Sequence, residues 1–483
     1  MELNNNLGDC MEENVKVVET GNNSEHGENR CPQCGASDVT YNIKKKKLVC
    51  NYCFTEFDAE DVIGIEKNVE NLKEEIRGSG TKDIDNNVDD IITLKCGGCG
   101  AEVVINTKEA VNARCHWCRS ILSINSQIEN GAVPDVVLPF DLDKKVAEEK
   151  IKAFVEKRKF FAHPIFKRDF TTNNIMGVFF PYMLIDANCH GSYSGEGGHV
   201  ARSYEIVVGK DDDGKEKKET VYDIDVYHIE RDFDILIDDL SIESSLDKLN
   251  KSNKTKTTNI INSIMPFDTD KCVKYNSNYL AGFTSEKRDV NVSDLEDKID
   301  KELKDITRHS LNADLKYYDS GVKWEKEELD IKGKQWISAY LPVWLYSYQD
   351  TRKILHYVAV NGRTGEVMGS IPINKRKLFF ISLLIDILIF SVIFYFTHES
   401  DNSGFLVFYL FLIVGPIYYF SKSSKYRNKS ARHKYETETQ NTITNMNKVD
   451  KKKNTLRERS SRSLPGANNY KLDGEKVKIK DSK

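Results

Sequence analysis

Cys31, Cys34, Cys50 and Cys53 form one quartet of thiols, and Cys96, Cys99, Cys115 and Cys118 form a second. Both read Cys-x2-Cys, fifteen residues, Cys-x2-Cys. Two residues between cysteines make a knuckle that brings both thiolates to one ion, and two knuckles complete a tetrahedral four-sulfur site. Zn2+ is the expected ion, one structural ion per quartet, with no open position for catalysis. A redox dithiol would need one Cys-x2-Cys at a helix N-terminus, and a mononuclear iron site is a further option. Between the knuckles, VTYNI and KLVCNYC read as a hairpin in the first quartet and AEVVI as a strand in the second. Gly35 and Gly100 follow knuckles, where a positive φ is often required. His116, inside the second knuckle, reads as a solvent-facing spacer.

The remaining cysteines, Cys10, Cys189 and Cys272, are scattered. The start, MELNNNLGDCMEEN, is polar and acidic and lacks the apolar core of a signal peptide. A reducing compartment and metal-bound thiols follow.

The elements that must position these sites are expected to form several domains, since 483 residues exceed a single-domain length. Residues 1–28 read as disordered, 29–57 as the first zinc ribbon and 58–90 as a flexible linker. Residues 91–125 read as the second ribbon and 136–374 as an α+β body. Within that body KKVAEEKIKAFVEKRKF has the spacing of an amphipathic helix, with Val146, Ile151, Phe154 and Val155 inward. GVFFPYMLIDANCHGSYSG reads as a long strand. Segments either side of KDDDG, and either side of NGRTG, read as hairpins. Ser293 and Glu296 suggest a capping box ahead of a second helix. Phe180–Leu184 echoes Leu341–Leu345 around a shared proline, as a duplicated unit would.

Leu378–Thr397 carries one charge, Asp386, and matches the length of a membrane span. Phe405–Phe420 is a shorter apolar run. Lys375, Arg376 and Lys377 precede the first, and Lys422, Lys425, Arg427 and Lys429 follow the second. The positive-inside rule then predicts a two-helix transmembrane hairpin in the cell membrane, a multi-pass protein with both termini cytoplasmic. Asp386 would face a partner or a hydrogen bond within the hairpin. From 421 to 483 there are eighteen Lys/Arg against seven Asp/Glu, in a chain whose net charge is -5. That predicts a basic disordered tail on an acidic body. The Lys451–Lys453 run could meet anionic lipid.

No catalytic or organic-cofactor-binding residues emerge. There is no phosphate-binding GxxxxGK[ST], HExxH or GxSxG. His190 and His199 flank a Gly-rich segment, GSYSGEGG, with Cys189 adjacent, and this reads as a loop between strands, not a Cys–His nucleophile.

These phrases together resemble a family of bacterial membrane-anchored proteins with TFIIB-type zinc ribbons. The resemblance is carried by CPQCG, CNYC, VVLPFDLDKKVAEEKIKAF, FFPYMLIDANCHGSYSG, MPFDTDKCVKYNSNYLAGF, YLPVWLYSYQD and YVAVNGRTGEVMGSIPINK, over most of residues 28–377. Members are often labelled primosomal or helicase-like, but the ATPase loop of a helicase is absent here. In some members the resemblance implies a membrane-stress complex with a phage-shock-type coat protein and a band-7 (SPFH) scaffold protein. The expected function is a non-enzymatic, membrane-anchored adaptor that recruits a protein partner. The alternative is a membrane-tethered nucleic-acid-binding protein, with Lys44–Lys47, Tyr41 and Tyr52 as contacts.

Overall fold

The computed structural model describes residues 15–18, 20, 30–58, 65–81, 91–99, 101–106, 113–123, 127–128, 133–210, 216–245, 264–288, 290–312, 315–350, 355–397, 414–423 and 448–455. Its strands are β1 (Val15–Val18), β2 (Val39–Asn42), β3 (Lys47–Cys50), β4 (Glu56–Phe57), β5 (Glu75–Gly78), β6 (Ile91–Lys95), β7 (Glu102–Asn106), β8 (Gln127–Ile128) and β9 (Val136–Val137). They continue as β10 (Ile175–Lys210), β11 (Glu216–Glu243), β12 (Val273–Lys274), β13 (Thr284–Glu286), β14 (Val322–Gln349), β15 (Leu355–Asn361), β16 (Val367–Gly369) and β17 (Lys448–Thr455). The helices are α1 (Lys144–Glu156), α2 (Pro164–Asp169), α3 (Glu296–Asn312), α4 (Lys375–Thr397) and a short α5 over 414–423.

A 14-stranded sheet dominates, running β1-β5-β14-β10-β13-β7-β6-β8, and β2-β3-β4 form a separate three-stranded sheet. The expected α+β body with independent ribbons and a membrane hairpin is therefore corrected to a mostly β fold. The second ribbon is part of the large sheet, because β7 pairs with β13 through Val103, Val104, Ser285 and Glu286. Sequence period alone cannot reveal that long-range pairing.

The long central strands follow from β-branched and aromatic residues with alternating faces. β10 pairs with β11 on one side and β14 on the other, both antiparallel. The two proline phrases lie across from one another, Phe179 against Pro342 and Pro181 against Tyr340. Each proline sits where a third strand begins to pair: β11 joins at Tyr182 and β15 at Val343. A residue with no N–H is tolerated at such a margin. The GSYSGEGG stretch is not a loop: it lies inside β10, with Gly191 facing Phe233 and Gly195 facing Trp324.

Among the described residues, three large apolar clusters and one small one fill the fold. α1 buries Ala147, Ile151, Phe154 and Val155 against the sheet, while Val146 is exposed. Asp143 caps it through the N–H groups of Lys145 and Val146. α3 buries Ile299, Leu303 and Ile306 against β10 and β11 residues such as Ile185 and Ile235. It starts at Glu296, whose carboxylate pairs with Arg77, so Glu296 does not stand at the third helical position that a capping box with Ser293 requires.

The segment expected as a flexible spacer is pinned where it is described. Val69 and Leu72 pack on Leu236. The Asn188 amide donates to the carbonyls of Glu70 and Leu72, and Gln335 exchanges hydrogen bonds with the Glu66 backbone. Gly333 permits this approach, since a Cβ there would lie 2.4 Å from the Leu72 carbonyl carbon. Asp135, wholly buried, accepts from Thr20 Oγ1 (2.7 Å), Gly80 N (2.6 Å) and Ser338 N (2.8 Å), tying the N-terminal segment to the sheet.

Among the described residues no helix is long and apolar enough to cross a membrane. That overturns the expected multi-pass cell-membrane protein with cytoplasmic termini. The start of α4 is a packing element: Leu378, Ser382 and Asp386 are buried, and Tyr418 and Tyr419 of α5 pack on the same core as Leu378. Asp386 accepts the N–H of Gly415, where any Cβ would collide with the carboxylate. An apolar run does not say whether protein or lipid covers it. Phe379, Phe380, Leu384 and Leu388 of α4 are exposed. Residues 405–413 of the second expected span lie outside the described residues. The tail expected as disordered contributes β17, antiparallel to β11, with Lys452 opposite Asp234 and Lys448 opposite Asp238. The expected disordered start, residues 1–28, is described only at β1 and Thr20.

Candidate metal centre

Each quartet converges. In the first, Sγ of Cys31 and Cys53 are 3.4 Å apart, and those of Cys34 and Cys50 are 3.6 Å apart. The second repeats this, with Cys96–Cys118 at 3.4 Å and Cys99–Cys115 at 3.6 Å. Within each quartet the four sulfurs lie within 4.8 Å of one another. These spacings are far beyond a disulfide bond of about 2.05 Å. They approach the ~3.8 Å edge of a tetrahedron whose metal–sulfur bonds are about 2.3 Å. Two four-cysteine clusters could therefore each hold a metal ion, and zinc is compatible with the donor set.

The knuckles are built by backbone hydrogen bonds. Gly35 N donates to Cys31 O (2.8 Å), Phe54 N to Cys50 O (3.0 Å) and Arg119 N to Cys115 O (2.9 Å). The donor in each case has a positive φ: 72° at Gly35, 62° at Phe54 and 66° at Arg119. Gly100, read as the fourth such residue, lies outside the described residues. Phe54 occupies this conformation with its side chain 75% exposed. A left-handed non-glycine residue costs about 1–2 kcal/mol, and glycine's own entropy offsets part of the relief. Phe54→Gly is expected to raise stability by roughly 0.5–1 kcal/mol, read as a small upward shift of the denaturation midpoint. A drop would show that the Phe54 ring packs usefully.

Thiol acidity is uneven within the quartets. The Thr55 side chain and backbone hold Cys53 down to about 6, and the Cys115 thiol beside Cys99 holds Cys99 down to about 5. Thiolates are the form a metal takes.

The second knuckle is seated in the body. His116, expected to face solvent, is fully buried. Its Nε2 lies 2.6 Å from Glu286 Oε2, which also accepts from Trp117 Nε1 at 3.0 Å. Thr284 Oγ1 is 3.2 Å from His116 Nδ1. The tautomer with the proton on Nε2 lets His116 donate to Glu286 and accept from Thr284. Ser347 donates to the His116 carbonyl, and Trp117 meets Phe180 and Tyr357 edge-on. The spacing of CHWC reveals none of this, because Glu286 is distant in sequence. The paired aromatic after His116 was the available signal.

The first ribbon leans on the body through Tyr41 against Tyr279, with ring centroids 5.1 Å apart, and through an ion pair of Lys46 with Asp141. Its basic hairpin is partnered elsewhere too: Lys45 pairs with Glu56, and Lys47 with Asp58.

A third cluster brings carboxylates of Asp186, Asp238 and Asp239 together. Asp186 accepts from Asp239 N (2.7 Å) and Gln335 Nε2 (3.0 Å). Burial, then the neighbouring Asp239, pushes Asp186 up to about 8 from an ordinary 3.8. Native Asp186 thus keeps its proton where the unfolded side chain has lost it. The stability this provides is full below pH ~4 and is lost as pH rises through about 8. A decline on the order of a few kcal/mol across that window is expected. Asp186→Asn should flatten it in denaturation curves taken at several pH values. An unchanged slope would place the proton elsewhere.

Cys189 is buried, and burial pushes its thiol up to about 12. Its neighbour His190 turns to the other face of β10, where Nδ1 meets Asp234 at 2.9 Å. The structure does not bring Cys189 and His190 together as a nucleophile and base.

The chain is similar to the uncharacterized protein YdjG of Bacillus subtilis (strain 168). The two are 24% identical over 349 residues, spanning 72% of this chain and 91% of that protein. No family model matches, and no solved structure matches.

Proposed function

We propose that this chain is a non-enzymatic zinc-ribbon adaptor, in which Zn2+ in the first quartet stiffens a knuckle that docks a protein partner and Zn2+ in the second holds its ribbon on the body. The observation that carries this reading is the first ribbon's second knuckle. Tyr52 and Phe54 are 78% and 75% exposed there, while Lys45, Lys46 and Lys47 of the adjacent hairpin are paired with carboxylates. Exposed aromatics on a rigid turn are the side chains that anchor protein interfaces, whereas nucleic-acid binding draws on unneutralised cations. The exposed apolar residues of α4 offer the same partner further contact area. The partner class, a band-7 (SPFH) scaffold or a phage-shock-type protein, comes from the family resemblance.

The test is purification of the tagged full-length chain from its own cells, beside Tyr52→Ser/Phe54→Gly and Cys31→Ser/Cys96→Ser. The adaptor reading expects one defined protein with the wild type, lost from the aromatic variant although that variant keeps both zinc ions. Nuclease-sensitive nucleic acid on the wild type, with no protein partner, would replace the adaptor with the nucleic-acid reading.

A further inference from the structure

Between the second ribbon and the body lies a cavity of about 380 Å³. Arg114 and Arg119 of the ribbon line one side, and Lys144, Asn173 and Asn174 line the other. Among the described residues, no Asp or Glu lines it. Met176 and Phe283 give it an apolar part.

Arg119 is only partly satisfied. Its Nη2 donates to the Leu345 carbonyl at 3.2 Å, but Nε and Nη1 are buried with no acceptor among the described residues. The Tyr346 hydroxyl, within electrostatic reach of Arg119, is likewise buried and has no partner among the described residues. A buried donor left unpaired is costly, and a guanidinium retained in that state beside an open cavity is a preformed donor site for an anionic oxygen.

We propose that this cavity binds an oxyanion, a carboxylate or a phosphate group, with Arg119 as its principal donor and Lys144 and Arg114 supplying charge. Asn173 and Asn174 add amide donors, and the apolar part accommodates a short carbon skeleton. A volume of this size suits a small organic anion or one acidic side chain. The proposal stands apart from the adaptor reading, since it uses no residue of the first ribbon.

The test is calorimetric titration of the zinc-loaded full-length chain with inorganic phosphate, with acetate and with a blocked Glu-containing tetrapeptide. The wild type is expected to bind at least one probe at millimolar concentration, more weakly as salt rises. Arg119→Gln is expected to weaken binding about tenfold or more, and Lys144→Gln severalfold. Lys144 is exposed at the start of α1, so its substitution leaves the fold intact even where Arg119→Gln disturbs the knuckle. Binding of phosphate or acetate without the peptide assigns a free anion, and binding of the peptide assigns an acidic side chain. Binding of no probe, or equal binding by wild type and Lys144→Gln, overturns the proposal.

Discussion

Stripping zinc from this chain is expected to unfold far more than two ribbons. Structural zinc sites of small modules contribute apparent binding energies of about 10–16 kcal/mol, comparable with the roughly 5–15 kcal/mol that keeps a whole domain folded. Here the sites are not appended. Cys96 and Cys115 belong to the apolar cluster that holds Phe180, Leu341 and Val343, and Cys31 and Cys50 to the cluster around α1. Metal analysis of the pure chain is expected to give two zinc ions per chain. A strong chelator should then lower the melting temperature of the main sheet, followed by far-UV circular dichroism. Cys115→Ser, at a fully buried ligand, should do the same without chelator. Cys34→Ser, at an exposed ligand, should release one ion with a smaller loss. A main sheet that melts unchanged after both ions are gone would show that the ribbons are attached to the body but do not support it.

Glu286→Ala is expected to be a costly change that loosens the second metal centre as well as the fold. It strands the His116 and Trp117 donors in a buried site, at about 1–3 kcal/mol each. A total loss of roughly 2–5 kcal/mol follows. Because Glu286 lies on β13 and His116 between two cysteines of the second quartet, the same change should speed metal release from that quartet. Glu286→Gln keeps an oxygen that can accept from both donors, so most of the stability should return. Urea denaturation and zinc-release kinetics on the three proteins decide the matter. Equal release rates would mean that the second knuckle holds its metal without help from the body.

The amphipathic helix at Lys144–Glu156 was legible because its period is local, and only the inward residue near its start was misread, Ala147 taking the place of Val146. The hairpin turn at NGRTG was legible for the same reason: Asn361 Oδ1 accepts from Arg363 N and Thr364 N, and Gly365 takes the positive φ. The apolar run at Leu378–Thr397 misled, because hydropathy measures dislike of water and carries no information about what else covers a side chain.

By itself the sequence determined the two thiol quartets and their knuckles. Two intervening residues set the reach of each sulfur pair, and that constraint acts over a few bonds. Alternation and β-branching, which act on neighbours, also showed the central strands around Phe180 and Leu341, but not β5 in the expected linker or β17 in the expected disordered tail. Only the tertiary structure decided that β7 of the second ribbon would pair with β13 and that His116 would be buried on Glu286. It alone decided that the segment before the second ribbon would be held by Asn188 and Gln335, and that the basic tail would supply an edge strand to β11. Those outcomes rest on contacts between residues tens to hundreds of positions apart. They form because buried polar groups must find partners wherever the fold brings them, and nothing in the local spacing says where that will be.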